Sequence, residues 1–396
     1  MKLLWVKTDF LHPTTRGGQI RTLEIVKRLH RRNEIHYVAF DNPLQPEGLE
    51  RAGEYSTRAY PISHRAPSKR SPGFVMQLAA GLFSPLPVAV SRWKSDSMRA
   101  KIDEVCAREK FDAMVCDFLA PAPNVSILER CFLFQHNVET MIWRRRHAEH
   151  AADNPLRRAY LKLQADRMEA YEREVCRTVK RVIAVSETDA RLMREMFGID
   201  DVPIAATGVD TEYFEPRGPA DPAFDLVFVG SMDWLPNTDG IKFFAGNILP
   251  LIRRRFPQCT LGIVGRTPDP DIVALAQADS KIIVTGTVPD VRQYLWTSKL
   301  SIVPLRIGGG TRLKIYESMA AACPVVSTTV GAEGLSVAHP QHIRLADTPE
   351  QFAAECIRLL ESDDERRNLA ATAYRLVRER FSWDIMAREF EAILTR

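Results

Sequence analysis

Short apolar runs alternate along this chain with amphipathic stretches of helical spacing, and the alternation stops once and starts afresh. Such a pattern calls for parallel sheets buried under helices, because a strand covered on both faces must be apolar throughout. Residues 3–6 read as a first buried strand, and the pair Gly17-Gly18 leads into a helix with Ile20, Leu23, Val26 and Leu29 on one side. Strands are expected at 35–40, 113–116, 131–134 and 182–185, with a long charged helix over 155–178. The stretch 217–224, Arg-Gly-Pro-Ala-Asp-Pro-Ala-Phe, reads as a linker. Beyond it, strands are expected at 225–229, 260–264, 282–285, 300–304 and 325–327. Helices are expected over 237–254 and from Thr311, and three more close the chain from Pro349, Asp363 and Trp383. The fold class is therefore α/β, with two doubly wound domains facing a central cleft. Their bounds are 1–205 and 223–380, joined by a linker over 206–222, and a C-terminal helix over 381–396 packs back on the first. Ligands of such sheets gather beyond the carboxyl ends of the strands.

Composition excludes several other classes. At 45% hydrophobic and 26% charged residues, the 396-residue chain is neither disordered nor fibrous. Its net charge of +4 is uneven: residues 1–205 hold 33 Lys and Arg against 26 Asp and Glu, the remainder 21 against 24. The first half thus suits an anionic partner, at a level too weak for nucleic acid. Seven cysteines without CxxC spacing suggest neither a disulfide framework nor a zinc site. Lys2 and Lys7 interrupt the apolar start before a signal-peptide core develops. The most apolar stretch, 74–90, is broken by Gln77, Ser84, Pro85 and Pro87, short of the roughly 20 residues a membrane span needs. A cytoplasmic protein is expected.

Chemistry gathers at 304–320, Pro-Leu-Arg-Ile-Gly-Gly-Gly-Thr-Arg-Leu-Lys-Ile-Tyr-Glu-Ser-Met-Ala. A strand ends, Gly308, Gly309 and Gly310 follow, and a helix begins near Thr311. Glycines let the backbone approach a ligand closely, and free N–H groups at a helix start attract anions. Arg312 and Lys314 place two cations where the helix dipole disfavours them, a cost that an anionic ligand or a nearby acid would offset. Glu317, one to two turns on, is placed to accept hydrogen bonds from the vicinal hydroxyls of a ribose. The alternative is a glycine turn with solvated charges. The spacing is that of neither a Walker loop nor a dinucleotide fingerprint.

With Glu317-Ser-Met-Ala-Ala-Ala-Cys-Pro324-Val-Val-Ser327 the chain resembles the retaining glycosyltransferases of the GT-B fold, in the family 4 type. Gly17-Gly18, His136-Asn137-Val-Glu139, Val185-Ser186-Glu187, Gly208-Val209-Asp210, Val229-Gly230 and Phe381-Ser-Trp383 follow in the family's order and span nearly the whole chain. The resemblance implies two Rossmann-like domains, a nucleoside diphosphate-sugar donor in the second, and a glycan or lipid-linked acceptor in the first. It further implies retention of configuration, and neither metal nor cofactor. Its donor-binding residues fall on Gly17, Gly18, Gly230, Ser231, Arg266, Val288, Gly308, Gly309, Gly310, Thr311, Arg312, Lys314 and Glu317. His136, Arg312, Lys314 and Glu317 form the implied catalytic set.

The departures are as informative as the matches. Gly309 stands eight residues before Glu317, where the family's first motif glutamate holds the donor sugar. Ser231 and Pro236 occupy the places of the family's diphosphate clamp, which Arg312 and Lys314 are expected to replace. His136, at the end of the strand over 131–134, reads as a positioning or acceptor-side residue, with a structural histidine as the alternative. Asp117 is a weaker candidate of the same kind, and Glu139 reads as a helix cap. Arg266 either contacts the nucleotide or is solvated, and Val288-Pro289-Asp290 falls where relatives hold the nucleobase through backbone atoms. Asp269-Pro-Asp271 reads as capping, not as a metal site. The basic stretches 64–72 and 143–147 beside the apolar 74–90 suit peripheral contact with an anionic membrane, or are ordinary surface charge. Two other functions fit the same fold: a sugar-nucleotide epimerase, and a non-catalytic nucleotide-binding or partner subunit.

Overall fold

The computed structural model describes residues 1–14, 17–64, 81, 84–149, 154–217, 223–308 and 312–396. The chain forms two compact units, Met1–Ala206 with Met386–Arg396, and Thr207–Ile385. Of the expected linker, residues 218–222 lie outside the described residues.

The first unit is built on a six-stranded parallel sheet in the order β3-β2-β1-β4-β5-β6. Its strands are β1 (Lys2–Val6), β2 (Glu34–Asp41), β3 (Arg58–Ser63), β4 (Ala113–Asp117), β5 (Cys131–Phe134) and β6 (Arg181–Ile183). Leu3 of β1 sits opposite Ile35 on one side and Ala113 on the other, and all three are buried. The chain runs outward from β1 to β3, then restarts beside β1 at β4, so the strand order reverses between β1 and β4. A crevice at the carboxyl ends of those strands follows from that reversal. Phe390, in the helix Trp383–Leu394, packs on Trp5 and Phe134 of this sheet, with ring centroids 5.5 Å and 4.9 Å away.

The second unit repeats the plan in the order β12-β11-β10-β7-β8-β9. The strands are β7 (Phe224–Val229), β8 (Leu261–Val264), β9 (Ile282–Gly286), β10 (Ser298–Val303), β11 (Val325–Ser327) and β12 (Arg344–Leu345). Here the order reverses between β7 and β10.

The strands expected from apolar runs are present within one or two residues. Two were not expected. The strand β3 has mixed exposure and carries Pro61, which an edge strand tolerates because one side of its backbone needs no ladder partner. The strand β12 has only two residues. The helix expected over 237–254 instead runs as Leu235–Phe243, a widened π turn Phe244–Ile248, and Leu249–Arg255. Pro250 supplies the reason, since it has no N–H to return to the preceding turn.

All seven cysteines are free. Among the described residues no helix is long and apolar enough to cross a membrane. Most of the apolar stretch 74–90 and of the basic stretch 64–72 lies outside the described residues. The cluster 143–147 falls on the helix Glu139–Glu149, where Trp143 is buried under Arg146 and Arg144 pairs with Glu169 at 2.6 Å. Glu34, His36 and Glu109 converge at the amino ends of β1 and β2, but the Lys2 ammonium pairs with both glutamates there.

Candidate active site

In the second unit the site forms at the β7–β10 crevice. Gly230 follows β7 directly, and its N–H donates to Val264 O at 2.9 Å. A Cβ at Gly230 would lie 2.5 Å from Lys314 Nζ and 2.8 Å from Asn237 Nδ2. Only glycine therefore lets the lysine reach across the strand end. Lys314 Nζ donates to Asn237 Oδ1 at 2.8 Å and lies 4.3 Å from the centroid of the Phe228 ring. Asn237 Nδ2 in turn donates to Ser231 O at 2.7 Å, which fixes the amide's orientation.

Lys314 comes from the helix Leu313–Ala320. That helix starts two residues later than the Thr311 expected from sequence, with Arg312 at its cap position and no side chain capping it. Arg312 is buried, its guanidinium 5.2 Å from the Trp234 ring centroid. Gly308 adopts φ +119°, and a Cβ there would lie 2.8 Å from Arg312 Nη2. Gly309, Gly310 and Thr311 lie outside the described residues.

Burial and the neighbouring Arg312 bring the Lys314 ammonium down to about 7, while burial lifts the partly exposed Glu317 carboxyl to about 7. Both groups thus titrate near neutral pH, and an incoming anion would shift the balance towards the charged lysine and the protonated carboxyl. Ser231 and Arg266 also meet. Arg266 Nε donates to Ser231 Oγ at 2.8 Å, the Ser231 hydroxyl donates to Asp233, and Arg266 lies 3.5 Å from the same carboxylate. Val288 follows β9, two strands from β7 and hence about 10 Å along the sheet. Asp269 accepts from Asp271 N at 3.0 Å and caps the helix Pro270–Ala278.

In the first unit His136 and Asp117 meet at the carboxyl ends of β5 and β4. Asp117 is fully buried and accepts from Trp5 Nε1 at 2.8 Å, Lys7 Nζ at 3.0 Å, Thr22 Oγ1 at 2.7 Å and His136 Nε2 at 2.8 Å. Lys7 and these donors hold its carboxyl well below the usual range against the cost of burial. The other ring nitrogen of His136, Nδ1, lies 2.9 Å from Arg21 Nη1. A guanidinium only donates, so Nδ1 accepts and Nε2 carries the proton. Burial holds the imidazole neutral, down to about 3. The ring also stacks on Phe118, centroids 3.9 Å apart.

Gly18 serves this packing, because a Cβ there would lie 2.6 Å from the Phe118 ring. Gly17 is exposed at the start of the helix Gly17–His30. Glu139 begins the next helix but does not cap it. The Glu172 carboxylate does, accepting from Glu139 N, Thr140 N and Thr140 Oγ1 at 2.9, 2.7 and 2.6 Å.

Sequence reasoning missed Asn237, Phe228 and Trp234 in the second unit, and Lys7 and Arg21 in the first. Lys7 had a readable signal, a cation directly after a buried strand. Asn237 had almost none, since its role depends on a lysine 77 residues away.

Comparisons with known proteins give the family and the fold. A model described as Glycosyltransferase Family 4 matches residues 15–213, and one described as Glycosyl transferases group 1 matches residues 223–362. The chain belongs to glycosyltransferase family 4. Its fold is that of the GT-B glycosyltransferases. HepE of Anabaena, solved in complex with UDP, superposes with a TM-score of 0.70 at 14% identity, covering 100% of both chains. WaaG, a glycosyltransferase involved in lipopolysaccharide biosynthesis, superposes with a TM-score of 0.65 at 13% identity over 99% of each chain. An uncharacterized 44.6 kDa protein in the cps region of Klebsiella pneumoniae is 21% identical over 164 residues, 40% of this chain and 42% of its own length.

Proposed function

We propose that this protein is a retaining glycosyltransferase. It moves a sugar from a nucleoside diphosphate-sugar held by the second unit to an acceptor hydroxyl offered at the first, in the making of a polysaccharide or glycolipid. The observation that carries the reading is the Lys314 ammonium, held by Asn237 over Gly230 at the strand-order reversal. A fixed cation there meets the charge that develops as a diphosphate departs. Glu317 is placed to accept hydrogen bonds from donor hydroxyls. That HepE binds UDP and that WaaG acts in lipopolysaccharide biosynthesis support the donor class and the setting.

In the reaction the acceptor oxygen bonds to the anomeric carbon as the bond from that carbon to the donor phosphate oxygen breaks. The acceptor proton passes to the departing phosphate oxygen. It does not go to His136, whose one basic nitrogen already accepts from Arg21. Attack on the face the phosphate leaves retains the configuration.

Transfer itself is the test. Labelled UDP-, GDP-, ADP- and dTDP-sugars are incubated with oligosaccharide acceptors, and the product's anomeric coupling is read by proton NMR. The expected product carries the label in the donor's configuration, at a rate about a hundredfold lower for Lys314→Ala. An inverted product overturns retention, and a new sugar nucleotide formed without an acceptor overturns transfer in favour of epimerisation.

A further inference from the structure

After β9 the chain turns at Gly286, whose φ of +68° lies in the left-handed region, and runs through Thr287–Val291 into the short helix Arg292–Trp296. This loop stands at the carboxyl edge of the second sheet, two strands from the β7 crevice. The backbone of Thr287–Asp290 makes no hydrogen bond to a described residue, so its polar groups are open to a ligand. A nucleoside whose diphosphate meets Lys314 can reach the loop along the sheet edge. We propose that Arg292 is a positioning residue for that nucleoside. It ties the loop to the segment Asp210–Arg217, and so sets nucleotide affinity and base preference without touching the ligand. The proposal rests on the glycosyltransferase reading and names a residue that tunes its donor site.

Arg292 holds on in two directions. Toward the loop, its Nε donates to both carboxylate oxygens of Asp290, at 2.9 and 3.0 Å, and its Nη2 donates to Oδ2 at 2.7 Å. The Arg292 backbone N–H adds a bond to Asp290 Oδ1 at 2.9 Å. Away from the loop, Nη1 donates to Tyr213 O at 2.7 Å. The guanidinium lies 3.8 Å from the Tyr213 ring centroid and 5.2 Å from that of Trp296. Trp296 Nε1 donates to Glu215 O at 3.1 Å, and the Arg217 guanidinium lies 4.3 Å from the Trp296 ring centroid. Tyr213 is itself set by Asp210, whose carboxylate accepts from Tyr213 N at 2.8 Å.

An exposed ion pair by itself contributes little. Arg292 differs because Nε and Nη2 are committed to the loop while Nη1 is committed to the segment. A planar fork of donors does this, and a single ammonium does not. Asp290 is thereby fixed, and with it the approach of Val288-Pro289 to the sheet edge. Without the guanidinium the loop is held only at its two ends. A nucleoside must then order the loop as it binds, and that ordering costs affinity.

The test is isothermal titration of UDP, GDP, ADP and dTDP into the full chain and into Arg292→Ala, Arg292→Lys and Tyr213→Ala. Expected for Arg292→Ala is a Kd about tenfold higher for the nucleotide the wild type prefers, with a smaller change for the others, so that the preference narrows. Arg292→Lys keeps the charge without the fork and is expected to recover only part of the loss. Tyr213 is 46% exposed, so its loss spares the core. Tyr213→Ala is expected to weaken the preferred nucleotide about threefold and to add nothing once Arg292 is alanine. Unaltered affinity in Arg292→Ala or in Tyr213→Ala, equal weakening of all four nucleotides, full recovery by Arg292→Lys, or additive effects of the two alanines overturns the proposal. Tyr213→Ala keeps the test decisive should Arg292→Ala fail to fold. No binding of any nucleotide by the wild type overturns the glycosyltransferase reading and the proposal with it, whereas wild-type binding that the variants leave unaltered overturns the proposal alone.

Discussion

At the scale of single residues, the chain keeps several ionisable groups away from their ordinary charge state, and each makes a measurable claim. Lys314 is brought down to about 7 by burial and by Arg312. A bound diphosphate reverses that balance, so at pH 7.5 nucleotide binding takes up part of a proton. Calorimetry in PIPES and in Tris is expected to give different enthalpies for the same binding, and equal enthalpies would contradict this account. Glu139 makes the opposite kind of claim. Its carboxyl is lifted from 4.5 to about 7, so the fold favours the protonated form. The stability this contributes is full below pH 4.5 and is lost as pH rises through 7. Glu139→Gln is therefore expected to stabilise the fold by about 1 to 3 kcal/mol at pH 8 and to change little at pH 4.5. Urea unfolding at both values checks the sign. Sequence singled out His136 and Asp117 separately. It could not show that they bond to each other and to Lys7 and Arg21, because that requires the strand order.

At the scale of elements, legibility follows burial. Strands covered on both faces, such as Cys131–Phe134 and Leu261–Val264, carry no charged or strongly polar residue, and their bounds are readable from sequence. The edge strand Arg58–Ser63, half exposed and carrying Pro61, has no such signature. Capping was readable where a side chain makes the bond, as Asp269 does for Pro270–Ala278. The same logic failed for Leu313–Ala320, where no side chain caps the helix. The junction of β7 with this helix depends on Gly230, whose missing side chain admits Lys314. Gly230→Ala drives a methyl into the space of the lysine head and of Asn237. The expected outcome is a folded protein with unchanged far-UV circular dichroism and at least tenfold weaker nucleotide binding. Unchanged affinity would mean that Lys314 does not serve the ligand from this position.

At the scale of the whole molecule, the same device appears twice. Each unit is a parallel sheet whose strand order reverses once, between β1 and β4 and between β7 and β10, and each reversal carries polar groups at its carboxyl edge. The two edges differ in chemistry. In the second unit a cation, Lys314, is held at the crevice, while in the first Lys7 is consumed by Asp117. Of the basic residues of the first half, Lys7, Arg21 and Arg144 are engaged within the fold. The most direct measurement of the central claim is a thermal-shift panel of UDP-, GDP-, ADP- and dTDP-sugars on the wild type and on Lys314→Ala. A ligand at about 100 times its dissociation constant stabilises the fold by about 2.7 kcal/mol, which such a panel resolves. The account predicts stabilisation by one nucleotide class that disappears in Lys314→Ala. Stabilisation that persists in the variant, or none with any class, would contradict it.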